Sequence, residues 1–252
     1  MSWKVFFAAV AGRYHLDQDL PCQDAGHHAV EGEVLVGAVC DGAGSASEGE
    51  FGARYFSRRV TERLREAVRG GQLDVAAETA MHDLLVDVVD EVRGEVEAIG
   101  QEWGVGLREF ACTLVGCVAS RRTGGCFFHV GDGFAVQRDG AAAAVLSLPE
   151  NGEYSDETYF VTDEAWAGHL RLTPLPPLSG GGLIGLMSDG TAPFAIDRGR
   201  TGFFGPFIDP VLSFLRQAQE REGSEALLHT LSSEKTKEIT PDDKALLLAL
   251  AL

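Results

Sequence analysis

The sequence predicts an α+β fold in which antiparallel sheets carry their helices on the outside. Three observations point there. Apolar β-rich runs arrive in hairpin-like groups, two long amphipathic stretches sit side by side, and Asp139-Gly140 joins two short runs as a turn pair. A chain of 252 residues suits one large domain or two small ones; the expectation is a single domain over residues 1–252, which at this size buries roughly three-quarters of its unfolded surface and requires no staple.

Residues 3–11 and 33–40 are apolar and β-rich and read as buried strands. A helix begins near Ser47, where Phe51, Tyr55 or Phe56, Val60, Leu64 and Val68 recur at helical spacing until Gly70-Gly71. A second helix is expected from about Asp74 to Ile99, with Leu85, Val88, Val92, Val96 and Ile99 on one face. Strands follow at about 110–119, 125–130, 133–138 and 142–147. The stretch 149–182, rich in Gly, Pro and polar residues, reads as a loop over a functional edge. A strand at 183–188, helices near 209–221 and 224–232 and a last strand at 244–251 complete the series.

Charge narrows the partners. Thirty-eight acidic against 21 basic residues give a net charge of -17, a field that repels nucleic-acid phosphates and anionic lipid. The one basic concentration, Arg54 to Arg69, interleaves Arg58, Arg59, Arg63 and Arg65 with Glu62 and Glu66, as on a solvated helix face. No nucleic-acid partner is expected. The five cysteines form no Cys-x-x-Cys pair, against both a disulfide framework and a thiolate zinc site. Met1-Ser2-Trp3-Lys4 lacks signal-peptide character, and the apolar runs fall short of the ~20 residues of a membrane span. A soluble, cytoplasmic protein with no membrane partner is the expectation.

Acidic residues gather at strand ends: Asp24, Asp41, Asp132, Asp189 and the pair Asp242-Asp243. Asp41 and Asp189 each follow an apolar strand and precede a glycine, which lets the backbone turn sharply as the carboxylate leaves the sheet edge. Carboxylates converging from separate strands suit hard cations such as Mg²⁺ and Mn²⁺. An Asp-Gly pair alone is more often a turn than a ligand, and spacing leaves the two readings level. The chain has no Gly-x-Ser-x-Gly elbow and no Gly-rich loop ending in Lys-Ser/Thr.

Taken in order, Gly12-Arg13-Tyr14-His15 with Pro21-Cys22-Gln23-Asp24-Ala25, Val39-Cys40-Asp41-Gly42-Ala43-Gly44, Phe110-Ala111-Cys112-Thr113-Leu114, His129-Val130-Gly131-Asp132-Gly133, Leu186-Met187-Ser188-Asp189-Gly190 and Pro241-Asp242-Asp243-Lys244 resemble the motif series of the protein phosphatase 2C family. The likeness is to its shorter bacterial branch and spans about residues 5–250. It implies a four-layer α-β-β-α sandwich, two antiparallel sheets face to face between helix pairs, with metals in a cleft at one sheet edge. It implies a serine/threonine phosphatase in which a water activated between two Mn²⁺ or Mg²⁺ ions attacks phosphorus.

In that resemblance Asp41 bridges the ions and the Gly42 carbonyl binds one of them. Asp189 and Asp242 complete the other, and Asp24 steadies the waters. Asp132 binds a possible third ion, and Asp243 is the alternative to Asp242. The implied partners are a phosphoprotein substrate and a cognate Ser/Thr kinase. Asp19 stands where many members grip phosphate with Arg, leaving Arg13 or His15 for that role. Ala43 stands where some have a His acid, and Gly133-Phe134 where Ser-Arg is usual. A metal-binding pseudophosphatase and a small-molecule phosphatase are the alternatives. Asn151 to Thr158 reads as a flap on the substrate side.

Overall fold

The computed structural model describes residues 3–71, 77–150 and 158–252. Strands β1 (Trp3–Val10), β10 (Lys244–Ala251), β9 (Leu183–Met187), β6 (Phe134–Arg138) and β7 (Val145–Ser147) form one sheet in that spatial order. The second sheet runs β2 (Asp24–Glu31), β3 (Val34–Asp41), β4 (Leu114–Ser120), β5 (Gly124–Val130) and β8 (Arg171–Leu175). Every neighbouring pair is antiparallel.

The apolar runs are continuous because the central strands are covered on both faces. In β10, Leu246, Leu248 and Leu250 pack outward with Ile208, Leu212, Leu227 and Leu231 of helices α5 (Gly205–Leu215) and α6 (Glu220–Leu231). Ala245, Leu247 and Ala249 turn inward to meet Leu35, Val39, Cys117 and Phe127 of the other sheet. Outside that second sheet lie α2 (Gly49–Arg69) and α3 (Glu78–Trp103), which bury Phe56, Val60, Leu64, Leu85 and Val92 against Val36, Ala38 and Phe128. The result is the four-layer α-β-β-α sandwich. Each fully buried leucine contributes about 2 kcal/mol.

The basic concentration lies on α2, and each of its arginines meets a carboxylate. Arg59 and Arg63 reach Glu95 of α3 at 2.8 and 3.0 Å, and Arg65 and Arg69 reach Glu31 of β2 at 3.0 and 3.1 Å. The expected solvated face is therefore also a clasp between α2, α3 and the sheet edge.

Several boundaries differ from expectation. Strand β2, absent from the sequence reading, is a half-exposed edge strand with no apolar run, DAGHHAVE. His27 and His28 fall within it and are half-buried. The 149–182 stretch holds β8, hidden by Pro174, a residue confined to edge strands because it cannot donate to the ladder. Residues Leu107–Phe110 form a 3₁₀ turn and the strand starts only at Leu114. Asp139-Gly140 does turn the chain, but the β6–β7 register places Gln137 opposite Val145, so the connection is longer than two residues. Asp139 also accepts the Ser179 backbone N–H at 2.9 Å.

Helix α5 begins at Gly205 with Pro206 in its first turn, where a missing N–H costs nothing, and stops at Leu215 before α6 starts. Short helices α1 (Arg13–Leu16), α4 (Ala192–Ala195) and α7 (Glu234–Ile239) complete the set. The expected start of α3 near Asp74 lies outside the described residues. Among the described residues no helix is long and apolar enough to cross a membrane.

Candidate active site and metal centre

Carboxylates collect where the ends of both sheets meet. Asp41 closes β3 and Asp24 opens β2, and the two are register partners. Asp189 lies two residues beyond β9, Asp242 and Asp243 directly precede β10, and Asp132 lies on the β5–β6 connection that crosses between the sheets. The glycines after Asp41 and Asp189 serve close approach, not an unusual dihedral. A Cβ on Gly42 would stand 2.5 Å from the Gly49 carbonyl oxygen, and one on Gly190 1.9 Å from that of Asp243. The sharp-turn expectation is corrected accordingly.

Carboxylate oxygens of Asp41, Asp132 and Asp189 all lie within 4.8 Å of one another. They face a cavity of about 300 Å³ that Gly42, Asp242, His15 and Thr113 also line. The Asp41 N–H donates to Thr113 Oγ1 at 3.1 Å, and Thr158 donates to Asp132 at 2.7 Å. Asp24 is buried behind them and accepts from Ser188 Oγ at 2.6 Å. A larger cavity of about 440 Å³ beside α5 to α7 is apolar, lined by Phe, Pro, Val and Leu side chains, and shares no residue with this one. The smaller, polar cavity is the one of the two that the carboxylates line.

The electrostatics ask for a cation. Burial and then the charges of Asp24, Asp189 and Asp132 push Asp41 well above the carboxylate range. Asp24 is raised by burial despite its bond from Ser188, and Asp132 is raised by burial first. Asp189 rises to about 6, through burial and then Asp132 and Asp242. One oxygen on each of Asp24, Asp132 and Asp189 is buried without a hydrogen-bond partner. No Arg or Lys lines the cavity among the described residues. Buried carboxylates without counter-charge are costly, and a set of hard oxygen donors with orphaned lone pairs suits Mg²⁺ or Mn²⁺.

Asp242 and Asp243 stand in different surroundings. Asp243 is buried, and its carboxylate accepts the Gly12 N–H at 2.6 Å and the Gln23 N–H at 2.6 Å while meeting His15 Nδ1 at 2.8 Å. Both of its oxygens are occupied by protein. Asp242 is exposed at the cavity, with one oxygen taken by the Asp243 N–H at 2.9 Å. Of the two residues considered for phosphate, His15 lines the cavity, whereas Arg13 is exposed on α1 and does not. Asp24 does not line it either.

Lys244 escaped the sequence reading of the site. It is fully buried, and its Nζ donates to the Asp242 carbonyl at 2.6 Å behind the carboxylates. Burial lowers its pKa while Asp243 and Asp242 pull the other way. A lone Lys opening an otherwise apolar strand was the available signal. Of the expected flap, Asn151 to Glu157 lie outside the described residues, and Thr158 lines the cavity.

Comparison with known proteins bears on the family and the fold. The chain is 30% identical over 259 residues to serine/threonine-protein phosphatase 3 of Escherichia coli (strain K12), covering 99% of both chains. Among solved structures it resembles the S. agalactiae serine/threonine phosphatase, with a TM-score of 0.68 at 12% identity over 99% of this chain and 100% of that one. It also resembles PppA, a regulatory component of T6SS in Pseudomonas aeruginosa, with a TM-score of 0.61 at 18% identity over 100% and 99%. These two likenesses speak for the fold. The sequence match is what decides: a protein phosphatase 2C model fits residues 11–232, and the chain belongs to the protein phosphatase 2C family.

Proposed function

We propose that this phosphoprotein phosphatase hydrolyses Ser/Thr phosphoesters in the carboxylate cavity with two divalent ions, Mn²⁺ or Mg²⁺. The observation that carries the reading is the convergence of Asp41, Asp132 and Asp189 within 4.8 Å, with an orphaned oxygen on Asp132 and on Asp189 and no Arg or Lys lining the cavity among the described residues. Asp41, the Gly42 carbonyl, Asp189 and Asp242 would hold the two ions, and Asp132 a third. When bound, such ions supply the positive charge the cavity lacks and acidify a water for in-line attack on phosphorus.

The chain's own groups do the rest. Thr113 and Thr158 fix the Asp41 backbone and the Asp132 carboxylate by their hydrogen bonds. Asp24, held by Ser188, positions Asp41 and does not meet substrate. His15, oriented through Nδ1 by Asp243, has Nε2 left to meet a phosphate oxygen. No cysteine lines the cavity among the described residues, and burial raises the Cys117 and Cys126 thiols, Cys126 to about 12. Direct attack by water without a phosphoenzyme fits this inventory. We read residues 1–252 as a single domain, because β1 and β10 pair across the chain. We place it in the cytoplasm, opposing a Ser/Thr kinase.

The test is hydrolysis of p-nitrophenyl phosphate and a phosphoserine peptide with Mn²⁺, with EDTA, and by Asp41→Asn. Metal-dependent turnover that vanishes in the variant is expected. Saturable Mn²⁺ binding without turnover of either would overturn the catalytic reading in favour of a phosphoprotein-binding role. Turnover of nucleotides or sugar phosphates but of no phosphopeptide would move the substrate to small molecules.

A further inference from the structure

Among the described residues no arginine lines the carboxylate cavity, but two line the cavity next to it. That second cavity, about 340 Å³, shares Asp189 with the first and is lined also by Phe134, Pro193, Asp197, Arg198 and Arg200. The arginines sit at the tip of a short hairpin closed by the bridge between Ile196 and Phe203. Its interior is stiffened by Asp197, whose carboxylate accepts the Gly199 N–H at 2.7 Å and the Thr201 hydroxyl at 2.9 Å. Arg200 donates its N–H to the Asp197 carbonyl at 2.9 Å with φ at 52°, the left-handed region that favours glycine.

Both guanidinium groups are exposed, and among the described residues neither forms an ion pair. Arg200 lies over the Phe134 ring, its Cζ 5.7 Å from the centroid, a contact that orients a guanidinium without neutralising it. The contrast with α2 is direct, for there every arginine is tied to a carboxylate. In a chain of net charge -17, two arginines without an ion pair among the described residues, on a tip beside the site, are local cations that an anionic substrate group can meet.

We propose that Arg198 and Arg200 set substrate choice by binding an anionic side chain, carboxylate or second phosphate, that flanks the phosphorylated residue. The two cavities share Asp189, so a peptide whose phosphate enters one lays its neighbouring residues against the other. The inference rests on the phosphoprotein phosphatase reading above and deepens it. Exposed Arg–carboxylate contacts are individually weak, so the pair is expected to favour flanking acid about three- to tenfold in kcat/KM, mainly through KM.

The test measures kcat/KM of the full chain with Mn²⁺ on four peptides. They share one phosphoserine and are flanked by Ala, by Glu, by Lys, or by a second phosphoserine, with p-nitrophenyl phosphate alongside. The Glu or doubly phosphorylated peptide should outrun the Ala peptide, and the larger preference identifies the source of the anion. That preference should vanish in Arg198→Ala/Arg200→Ala and invert towards Lys in Arg198→Glu/Arg200→Glu. In the wild type it should shrink as salt rises past the point where the screening length falls below ~5 Å, a readout that needs no variant. Equal rates on all four peptides with p-nitrophenyl phosphate still turned over, or a preference retained in both variants, would overturn this inference alone. No turnover of any substrate would remove the phosphatase reading and this inference with it.

Discussion

Replacing Asp243 by alanine should unfold the site without removing a metal ligand, and replacing Asp242 should do the reverse. Asp243 is buried and accepts two backbone N–H groups at 2.6 Å, from Gly12 and Gln23, besides its contact with His15. Hydrogen bonds to a charged group are worth about 1.5–3 kcal/mol each, and the stranded N–H donors add their own penalty. Discounting for relaxation, Asp243→Ala should cost about 3–5 kcal/mol, about 6–10 °C in Tm for a chain of this length.

Asparagine should rescue little. Each Asp243 oxygen faces an N–H, so one amide position must set an NH₂ against a donor. Asp242 is exposed, and its charge raises the pKa of Asp189 and of Asp132, so Asp242→Ala should lie within about 0.5 kcal/mol of wild type or slightly above it. Urea denaturation in EDTA, which removes stabilisation by bound metal, separates the two effects, and Mn²⁺ titration calorimetry reads the ligand role. An Asp243→Ala protein within 1 kcal/mol of wild type, or an Asp242→Ala protein that melts earlier than Asp243→Ala, would refute the assignment.

Three further outcomes are expected. Mn²⁺ at 100 times its Kd should stabilise the protein by about 2.7 kcal/mol, and Asp41→Asn should abolish the shift; an equal shift in the variant would place the ions elsewhere. Ser188→Ala removes the bond to Asp24 and the acceptor of the buried Ala245 N–H at 2.9 Å, so denaturant melts should show a loss of about 2–3 kcal/mol. His129 is fully buried beside Ser147, and burial followed by the Arg171 charge lowers its pKa to about 3. Below the unfolded value of ~6.5 the unfolded chain takes a proton that the native one refuses, so this stability is present above 6.5 and is lost as pH falls towards 3. The cost reaches about 2 kcal/mol at pH 5, and His129→Gln should flatten the pH 7 to pH 5 slope by that amount; an unchanged slope would count against it.

What the sequence disclosed depended on how local the information was. Asp41 and Asp189 stand out because each terminates a run buried on both faces, so hydrophobicity and charge change at one residue. β2 and β8 carry no such step: one is a half-exposed edge with two histidines and the other contains Pro174. The separate roles of Asp242 and Asp243 could not be read, because the groups that distinguish them, Gly12 and Gln23, lie 231 and 220 residues away. Spacing likewise could not tell that Arg13 would stand outside the cavity while His15 entered it. The cluster at Arg198 and Arg200 has no periodicity to notice, since only the hairpin closure at Ile196 and Phe203 brings it beside Asp189.

The position of β10 bears on how the enzyme is made. It is the last strand in chain order, yet it lies between β1 and β9, pairing with both. During synthesis β1 and β9 emerge with a gap between them, and the residues that fill it carry Asp242, Asp243 and Lys244 at their leading edge. The tie from Gly12 to Asp243 is thus among the last to close. A chain interrupted before residue 240 lacks Asp242 and Asp243, and with them one wall of the carboxylate cavity, which is complete only once the strand between β1 and β9 is in place.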